Sequence, residues 1–242
     1  MSKGVMGNEQ PPLRVRDWLL MALTVSSGAV DAISYLALGN IFTAFMTGNV
    51  VFLGLRMAGA SSQSVVSLAV ALAFFAAGVF LSTLIVKPSK GSGVWPRRAT
   101  VALGVEAVAQ ACFLAVWVAT GGQPPGGVVV VLLALWALAM GIQTGSVLSL
   151  GIPGVFTTAA TATLTYLMSD LARRRSSSVE DMRRLAGVLV SLFAGAAVGA
   201  LLLTYARTYA PAFPLVVTVF VVATAATVLR GRAAAADKGE RR

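Results

Sequence analysis

The stretch that decides the fold covers residues 26–54 and reads SSGAVDAISYLALGNIFTAFMTGNVVFLG. It is apolar enough for a lipid bilayer, yet it contains one carboxylate, Asp31, together with several threonine, serine and asparagine side chains. A carboxylate near the centre of a bilayer costs roughly 2.5–3.5 kcal/mol on insertion scales, and polar groups at that depth usually face protein or water. The stretch therefore predicts a membrane segment that also contains a working site.

A weaker copy of this stretch lies in the second half of the chain, where residues 141–167 read GIQTGSVLSLGIPGVFTTAATATLTYL. Both copies contain a glycine, a Leu-Gly pair and a phenylalanine, followed five residues later by a threonine. Phe42 precedes Thr47 in the first copy, and Phe156 precedes Thr161 in the second. The offset of 112 to 114 residues is close to half the chain. We interpret the chain as a duplicated protein whose site lies where the two copies meet.

The composition places most of the chain in a membrane. Of its 242 residues 57% are hydrophobic and 12% are charged, and the mean hydropathy is +0.82, whereas a soluble domain has about 25% charged residues. The net charge of +10 comes from basic residues at the ends of apolar runs, which is typical of cytoplasmic anchoring rather than of nucleic-acid binding. The chain has no histidine and one cysteine, Cys112. We therefore expect no cofactor, no metal, no disulfide and no enzymatic activity.

Six long apolar runs and two short ones organise the chain. The long runs, each predicted to be a transmembrane helix, cover residues 17–38, 65–86, 99–119, 128–150, 185–206 and 213–229. The short runs cover residues 41–55 and 155–169. As helices they would extend roughly 22 Å, which is less than the ~30 Å hydrocarbon core. The first 16 residues are polar, which predicts that the chain has no cleavable signal peptide.

The positive charges favour one of two topologies. If all eight runs cross the membrane and the N-terminus is cytoplasmic, the basic loop 87–98 lies outside. If each short run enters and leaves on one side, both tails and the loops 87–98 and 170–184 are cytoplasmic, and Arg56 and Arg207 remain outside. In the second topology each half crosses three times, so the two halves are inverted relative to each other, as in many transporters.

We therefore predict an all-α polytopic membrane protein with six long transmembrane helices, two short half-inserted or broken helical segments and an inverted internal repeat. The predicted parts are a cytoplasmic tail at 1–16, a first membrane repeat at 17–119, an extracytoplasmic turn at 120–127, a second membrane repeat at 128–230 and a basic cytoplasmic tail at 231–242.

Asp31 is the leading candidate for function because it lies about 14 residues into the first predicted span. It could hold a proton or a cation, or it could be a structural acid bonded to nearby Ser or Thr and paired with Arg56. Thr47-Gly48-Asn49 could coordinate a cation or a polar solute, or could serve only in small-residue helix packing. Gln143 lies near the place in the second copy that Asp31 occupies in the first. The predicted substrate- or ion-binding residues are Asp31, Thr43, Thr47, Gly48, Asn49, Gln143, Thr144, Thr161 and Thr163.

Glu106 and Gln110 are secondary candidates, since their spacing of four residues makes one polar face on a helix. An interhelical hydrogen bond is the alternative for this pair. Gly195 and Gly199 form a GxxxG pattern, which predicts a packing face. The aromatic residues predicted to face lipid or the membrane interface are Phe74, Phe75, Trp117 and Trp136.

The sequence of residues 28–54, GAVDAISYLALGNIFTAFMTGNVVFLG, resembles the signature of the YoaK-like family of bacterial inner-membrane proteins, a domain family of unknown function. The resemblance covers about residues 15–230. The second block, GIQTGSVLSL with TTAATATL, is similar to the family's second motif. It has Gln143-Thr144 and Thr161-Ala162 where members tend to have Gln-Asn and Thr-Gly. The resemblance implies a six-span integral membrane protein and supplies no substrate.

Two functions remain open at this point. The first is a small-solute secondary transporter or channel of the bacterial plasma membrane, with Asp31 holding a coupling proton. The second is a non-catalytic membrane scaffold or lipid-interacting protein, in which the buried polar residues only hold helices together. The expected partners are the lipid bilayer and a small solute or ion, with a homo-oligomer left open and nucleic acid excluded.

Overall fold

The structure is a computed structural model that describes residues 11–86, 95–172 and 179–229. The regular elements in these ranges are all helical. They are α1 (Pro11–Ala37), α2 (Met46–Met57), α3 (Val65–Ile85), α4 (Arg97–Ala119), α5 (Gly126–Leu148), α6 (Ala160–Ala172), α7 (Val179–Tyr205) and α8 (Ala212–Thr224). A short 3₁₀ turn (Arg207–Tyr209) precedes α8, and a π-helical turn (Ala225–Leu229) follows it.

Six helices of the described residues are long and apolar enough to cross a membrane. Five of them are α1, α3, α4, α5 and α7, and the sixth combines the 3₁₀ turn, α8 and most of the π-helical turn. The prediction of an all-α polytopic membrane protein with six long helices is confirmed.

Two long helices, α1 and α7, begin six residues earlier than the hydropathy predicted. The first begins at Pro11 rather than at residue 17, because a proline is tolerated in a first helical turn, where N–H groups have no intrahelical partner. Helix α7 begins at Val179 rather than at residue 185. Its first turn contains Glu180 and Asp181, whose negative charges are stabilising at the positive end of the helix dipole. The remaining parts of the predicted tails and loops, at 1–10, 87–94, 173–178 and 230–242, lie outside the described residues.

The two short helices are preceded by non-helical backbone. The predicted short segments, 41–55 and 155–169, are helical only in part, because α2 begins at Met46 and α6 at Ala160. In the first half, the N–H groups of residues 43–45 bond to a side chain of α1 instead of to carbonyls of a preceding helical turn. These N–H groups therefore need no helix to be satisfied.

Two clusters of buried apolar side chains mark the two ends of the helix bundle. One cluster contains the last third of α1, the start of α3, the second half of α4, the first part of α5 and the end of α7. The other contains the middle of α1, the starts of α4 and α7 and the ends of α5 and α8. The first long helix therefore ends where α3 begins, and α5 ends where α7 begins.

Glycines let two helix pairs, α1 with α7 and α3 with α5, pack backbone against backbone. A Cβ atom added to Gly195 would lie 2.1 Å from the carbonyl oxygen of Val25, and one added to Gly141 would lie 2.1 Å from that of Phe75. Gly199 likewise faces the backbone of α1. The predicted packing face at Gly195 and Gly199 is confirmed, and α3–α5 uses the same small-residue device.

The aromatic residues of α4 and α5 form part of the core. Trp117 and Trp136 are fully buried, so the prediction that they face lipid or the interface is wrong. Phe113 stacks on Trp136 with ring centroids 3.5 Å apart, and the Trp117 indole N–H donates to the carbonyl oxygen of Arg207 at 3.0 Å. Both helices are apolar around most of their circumference, so hydropathy does not reveal which face is buried.

Candidate functional site

The carboxylate of Asp31 reaches from α1 to the backbone that leads into α2. Its Oδ1 accepts hydrogen bonds from the N–H groups of Thr43 at 2.9 Å and Ala44 at 2.8 Å, and its Oδ2 accepts one from Phe45 at 3.0 Å. A carboxylate offers about four acceptor positions, so three of them are occupied. Arg56 is exposed and donates to the carbonyl of Ser61. The suggested pairing of Asp31 with Arg56, or with serine and threonine side chains, is therefore wrong.

The bond from Phe45 brings a carboxylate of another helix to the N-terminus of α2. The residue that precedes α2, Phe45, has no capping side chain of its own, and the first N–H groups of any helix lack intrahelical acceptors. A carboxylate at this point accepts charge-assisted hydrogen bonds and is favoured by the positive end of the helix dipole. Asp31 therefore fixes both the shape of the non-helical stretch and the place where α2 starts.

Asn49, one turn into α2, holds the same stretch from the other side. Its Oδ1 accepts from the N–H of Phe42 at 3.0 Å, and its Nδ2 donates to the carbonyl of Phe42 at 2.6 Å. The side chain is fully buried. At Gly48 an added Cβ would lie 2.7 Å from the ring of Phe45. Gly48 and Asn49 are thus engaged in local packing, while Thr47 is exposed on α2.

A pocket of about 450 Å³ opens beside the Asp31 carboxylate. Its walls come from α1, from α7 and from the non-helical stretches of both halves, including Phe45 of the first and Thr158 of the second. Aromatic rings dominate one side, where Tyr35 stacks on Phe42 with centroids 4.8 Å apart. Asp31 contributes the only carboxylate among the residues that line this pocket. The pocket can accept a mostly apolar solute with a group that interacts with a carboxylate.

The second half holds its non-helical stretch with neutral groups. Thr144 and Thr158 share a hydrogen bond between their hydroxyls at 2.8 Å. Gln143 donates from Nε2 to the hydroxyl of Thr157 at 3.1 Å and to the carbonyl of Leu23 in α1 at 3.2 Å. At the 113-residue offset between Gly28 and Gly141, Thr144 is the counterpart of Asp31, and Gln143 lies one residue before it.

The structure brings some of the predicted site residues together and separates others. Asp31, Thr43 and Asn49 meet around the first stretch, and Gln143 and Thr144 meet around the second. The buried hydroxyls of Thr43 and Thr163 have no hydrogen-bond partner among the described residues. Thr161, like Thr47, is exposed on its short helix.

Sequence reasoning missed the two threonines that face α5, Thr157 and Thr158. The 114-residue offset between Phe42 and Phe156 was the signal that could have found them, since it aligns 157–158 with residues 43–44, which bond to Asp31.

Glu106 and Gln110 lie away from this pocket, inside the contact of α4 with α8. Glu106 Oε1 accepts from Gln110 Nε2 at 2.8 Å and from the Thr218 hydroxyl at 3.3 Å. Ser26 of α1 approaches the Thr218 hydroxyl at 3.5 Å. The prediction of one polar face on α4 is confirmed. This face is hydrogen-bonded to Thr218 of α8, which is the interhelical bond given as the alternative for this pair. Ser26 and Thr218 were missed because each is a single hydroxyl in an apolar helix.

The comparisons with known proteins agree with this architecture. Residues 19–225 match the family described as a protein of unknown function, DUF1275. A UPF0700 transmembrane protein, YoaK of Bacillus subtilis (strain 168), is 38% identical over 159 residues, which are 66% of this chain and 68% of that relative. No solved structure matches the chain. Because the family match extends over nearly all of the described helices, the chain belongs to the DUF1275 family and is a multi-pass membrane protein.

Proposed function

We propose that this protein is a small-solute secondary transporter or channel of the bacterial plasma membrane, and that it is not an enzyme. The observation that carries the proposal is the pocket of about 450 Å³ at Asp31, to which the non-helical stretches of both halves contribute. Non-helical backbone at membrane depth is tolerated where protein covers it or where it lines a water-filled cavity. Transporters commonly bind solutes at such interrupted helices, near the interface of two repeats.

The proposed topology is an inverted repeat with both termini in the cytoplasm. Support comes from the two core clusters, since α1 ends where α3 begins and α5 ends where α7 begins. On this topology each short helix returns to the side from which its stretch entered, and each half crosses three times. The basic residues of the two tails and of the 87–98 and 170–184 loops then fall on one side, as cytoplasmic anchoring requires.

The proposed coupling uses a proton on Asp31. Protonation turns one carboxylate oxygen into an O–H group, which donates rather than accepts. At least one of the three N–H groups of Thr43, Ala44 and Phe45 then loses its acceptor or keeps a weaker neutral one. The stretch beside the pocket is therefore held more tightly by the carboxylate than by the acid. A proton could in this way be linked to the opening and closing of the solute site.

A membrane scaffold is the second candidate, and Asn49 favours it. Both polar atoms of its side chain are used on the backbone of Phe42, and the glycine pairs of α1–α7 and α3–α5 serve packing alone. A scaffold would need the hydrogen bonds of Asp31 but not the pocket that opens beside its carboxylate. We therefore place it second.

Transport by purified protein in liposomes tests the proposal. Vesicles with an imposed pH gradient are screened for uptake of small solutes, including organic cations. Wild type and a Thr47→Val control, whose side chain is exposed on α2, should accumulate the solute. Asp31→Asn should lose proton-driven accumulation while it remains folded. Absence of transport by the wild type across a broad screen, or undiminished coupled uptake by folded Asp31→Asn, would contradict the proposal.

Cysteine labelling in intact cells tests the topology. Cys112 is exposed and is first replaced by serine. In that background, cysteines at Asn40 and Ala60, both exposed, should be labelled from the same face. Cysteines at Ser149 and Leu171, also exposed, should be labelled from the opposite face. Labelling of positions 40 and 60 from different faces would show that α2 belongs to an ordinary span.

A further inference from the structure

The polar pair on α4, Glu106 and Gln110, contains two buried oxygen atoms that none of its hydrogen bonds uses. Glu106, near the middle of α4, and Gln110, one turn later, are both buried. Each side chain has one oxygen that is buried and without a hydrogen-bond partner among the described residues, Oε2 of Glu106 and Oε1 of Gln110. The two side chains are already joined through their other atoms, since Gln110 Nε2 donates to Glu106 Oε1 at 2.8 Å.

The surroundings of Glu106 contain no charge that could compensate a carboxylate. Its other hydrogen-bond partner, the Thr218 hydroxyl, is neutral, and so is Ser26 behind it. The helices packed along α4, which are α3, α5 and α8, contain no ionisable side chain.

The ionisable groups of the remaining neighbouring elements lie elsewhere. On α4 itself, Arg97 and Arg98 are in the first turn, and Cys112 is exposed. The 3₁₀ turn contains Arg207, which contacts α4 at its other end next to Trp117, and Tyr209, which is exposed. The ionisable residues of α1, which contributes Ser26, are Arg14, Arg16, Asp17, Asp31 and Tyr35. Asp31 is itself an acid, so it offers Glu106 no compensating charge.

We propose that Glu106 and Gln110 form a proton-binding site separate from Asp31, in which Glu106 is a neutral acid paired with the amide of Gln110. A proton on Glu106 Oε2 gives an O–H that donates to Gln110 Oε1, while Gln110 Nε2 continues to donate to Glu106 Oε1. One proton thereby supplies partners to both orphaned oxygens and removes an uncompensated charge from the bundle interior. A buried carboxyl group without a counter-ion avoids its desolvation cost by becoming neutral.

A bound monovalent cation is the alternative that could also use these oxygens, so the experiment must separate the two. The variant Glu106→Gln places an amide nitrogen where the acid O–H lies. That nitrogen can donate to Gln110 Oε1, and the new oxygen can accept from Gln110 Nε2. The variant therefore imitates the protonated acid and removes the negative charge that a cation requires.

The test is infrared spectroscopy of the full-length protein in sodium-free lipid bilayers at neutral pH, with exchange into D₂O. Wild type should show a carbonyl band of a protonated carboxylic acid, and Glu106→Gln should lack that band. Glu180→Gln, the same substitution in the first turn of α7, is the matched control and should keep it.

Thermal unfolding and sodium binding complete the test. Glu106→Gln should unfold at the same midpoint as wild type, whereas Glu106→Leu, which removes both hydrogen bonds, should unfold at a lower one. Absence of the acid band in wild type, or a wild-type midpoint that rises with sodium chloride but not with choline chloride, would overturn the proposal. None of these readouts depends on transport, so the proton site can fail while the transporter proposal stands, and the reverse.

Discussion

Replacing Asp31 by asparagine perturbs the three hydrogen bonds that shape the entry to α2. Asparagine has one acceptor oxygen where aspartate has two. If its oxygen remains at the place of Oδ1, it keeps the N–H groups of Thr43 and Ala44, which lie at 2.9 and 2.8 Å. Its NH₂ group then faces the N–H of Phe45, which lay 3.0 Å from Oδ2. Two donors meet, and one backbone N–H loses its acceptor.

The expected loss of stability follows from these bonds. An N–H group left without a partner in the protein interior costs about 1–3 kcal/mol. The two remaining bonds also weaken, because charge-assisted bonds are roughly twice as strong as neutral ones. Relief of the buried charge offsets part of this cost. We expect Asp31→Asn to lower the free energy of unfolding by about 1–3 kcal/mol, and Asp31→Ala, which removes all three bonds, to lower it by about 3 kcal/mol or more.

Reversible unfolding in mixed detergent micelles measures the free energies, and amide hydrogen exchange locates the effect. In Asp31→Asn the amides of residues 43–45 should exchange about 5–150-fold faster than in wild type. Thr43→Val is the control, since the Thr43 hydroxyl has no hydrogen-bond partner among the described residues. It should leave stability unchanged or raise it, because the substitution removes a buried hydroxyl that has no partner. Equal stability of wild type and Asp31→Asn, with unchanged exchange at 43–45, would refute the capping role.

Two further predictions concern the packing that supports the pocket. Asn49→Ala removes both bonds to the backbone of Phe42 and should lower the free energy of unfolding by about 2–4 kcal/mol. Asn49→Asp should not restore the lost stability, because a carboxylate would face the Phe42 carbonyl. Full stability of either variant in the same detergent titration would contradict this prediction. Gly141→Ala should be destabilised by at least about 1–3 kcal/mol, because its Cβ would lie 2.1 Å from the Phe75 carbonyl oxygen. Gly104→Ala, where the added Cβ meets open space, should be neutral or slightly stabilised, and equal effects at the two glycines would argue against the close α3–α5 contact.

The sequence predicted the number of long helices and missed the start of the short ones, for one physical reason. Spans of about 20 apolar residues are a local property, and hydropathy detects them. The backbone of residues 43–45 is non-helical because it bonds to Asp31, which is 12 to 14 residues away along the chain. No local pattern in 41–45 reports this contact. A short apolar run next to a deep carboxylate was nevertheless sufficient to single out Asp31, whose carboxylate bonds to the entry of α2 and lies beside the pocket.

The same difference between local patterns and long-range contacts explains why the predictions for the aromatic residues and for Thr47 differ from the structure. Trp117 and Trp136 were assigned to lipid because helices that are apolar on all faces give no direction, and the Phe113–Trp136 stack exists only after α4 and α5 meet. Thr47 was selected for its motif, but helix geometry directs it outward, and Asn49 two residues later is buried. Membership in a motif therefore indicated the region of the candidate site without telling which side chains face the pocket.

The two halves hold their non-helical stretches with different chemistry, and this difference bears on the proposed mechanism. In the first half a carboxylate accepts three backbone N–H groups, whereas its counterpart Thr144 shares a hydroxyl hydrogen bond with Thr158. A hydroxyl pair has no proton to gain or lose near neutral pH, so the second stretch does not respond to a pH gradient. On the proposed mechanism only the first stretch loosens when a proton binds, and the second stretch, with Thr158, serves as a fixed wall of the pocket. Replacing Thr144 by aspartate would give the second stretch a titratable group of its own, so a folded Thr144→Asp variant should show an altered pH dependence of solute uptake. A pH dependence identical to that of wild type would contradict the mechanism.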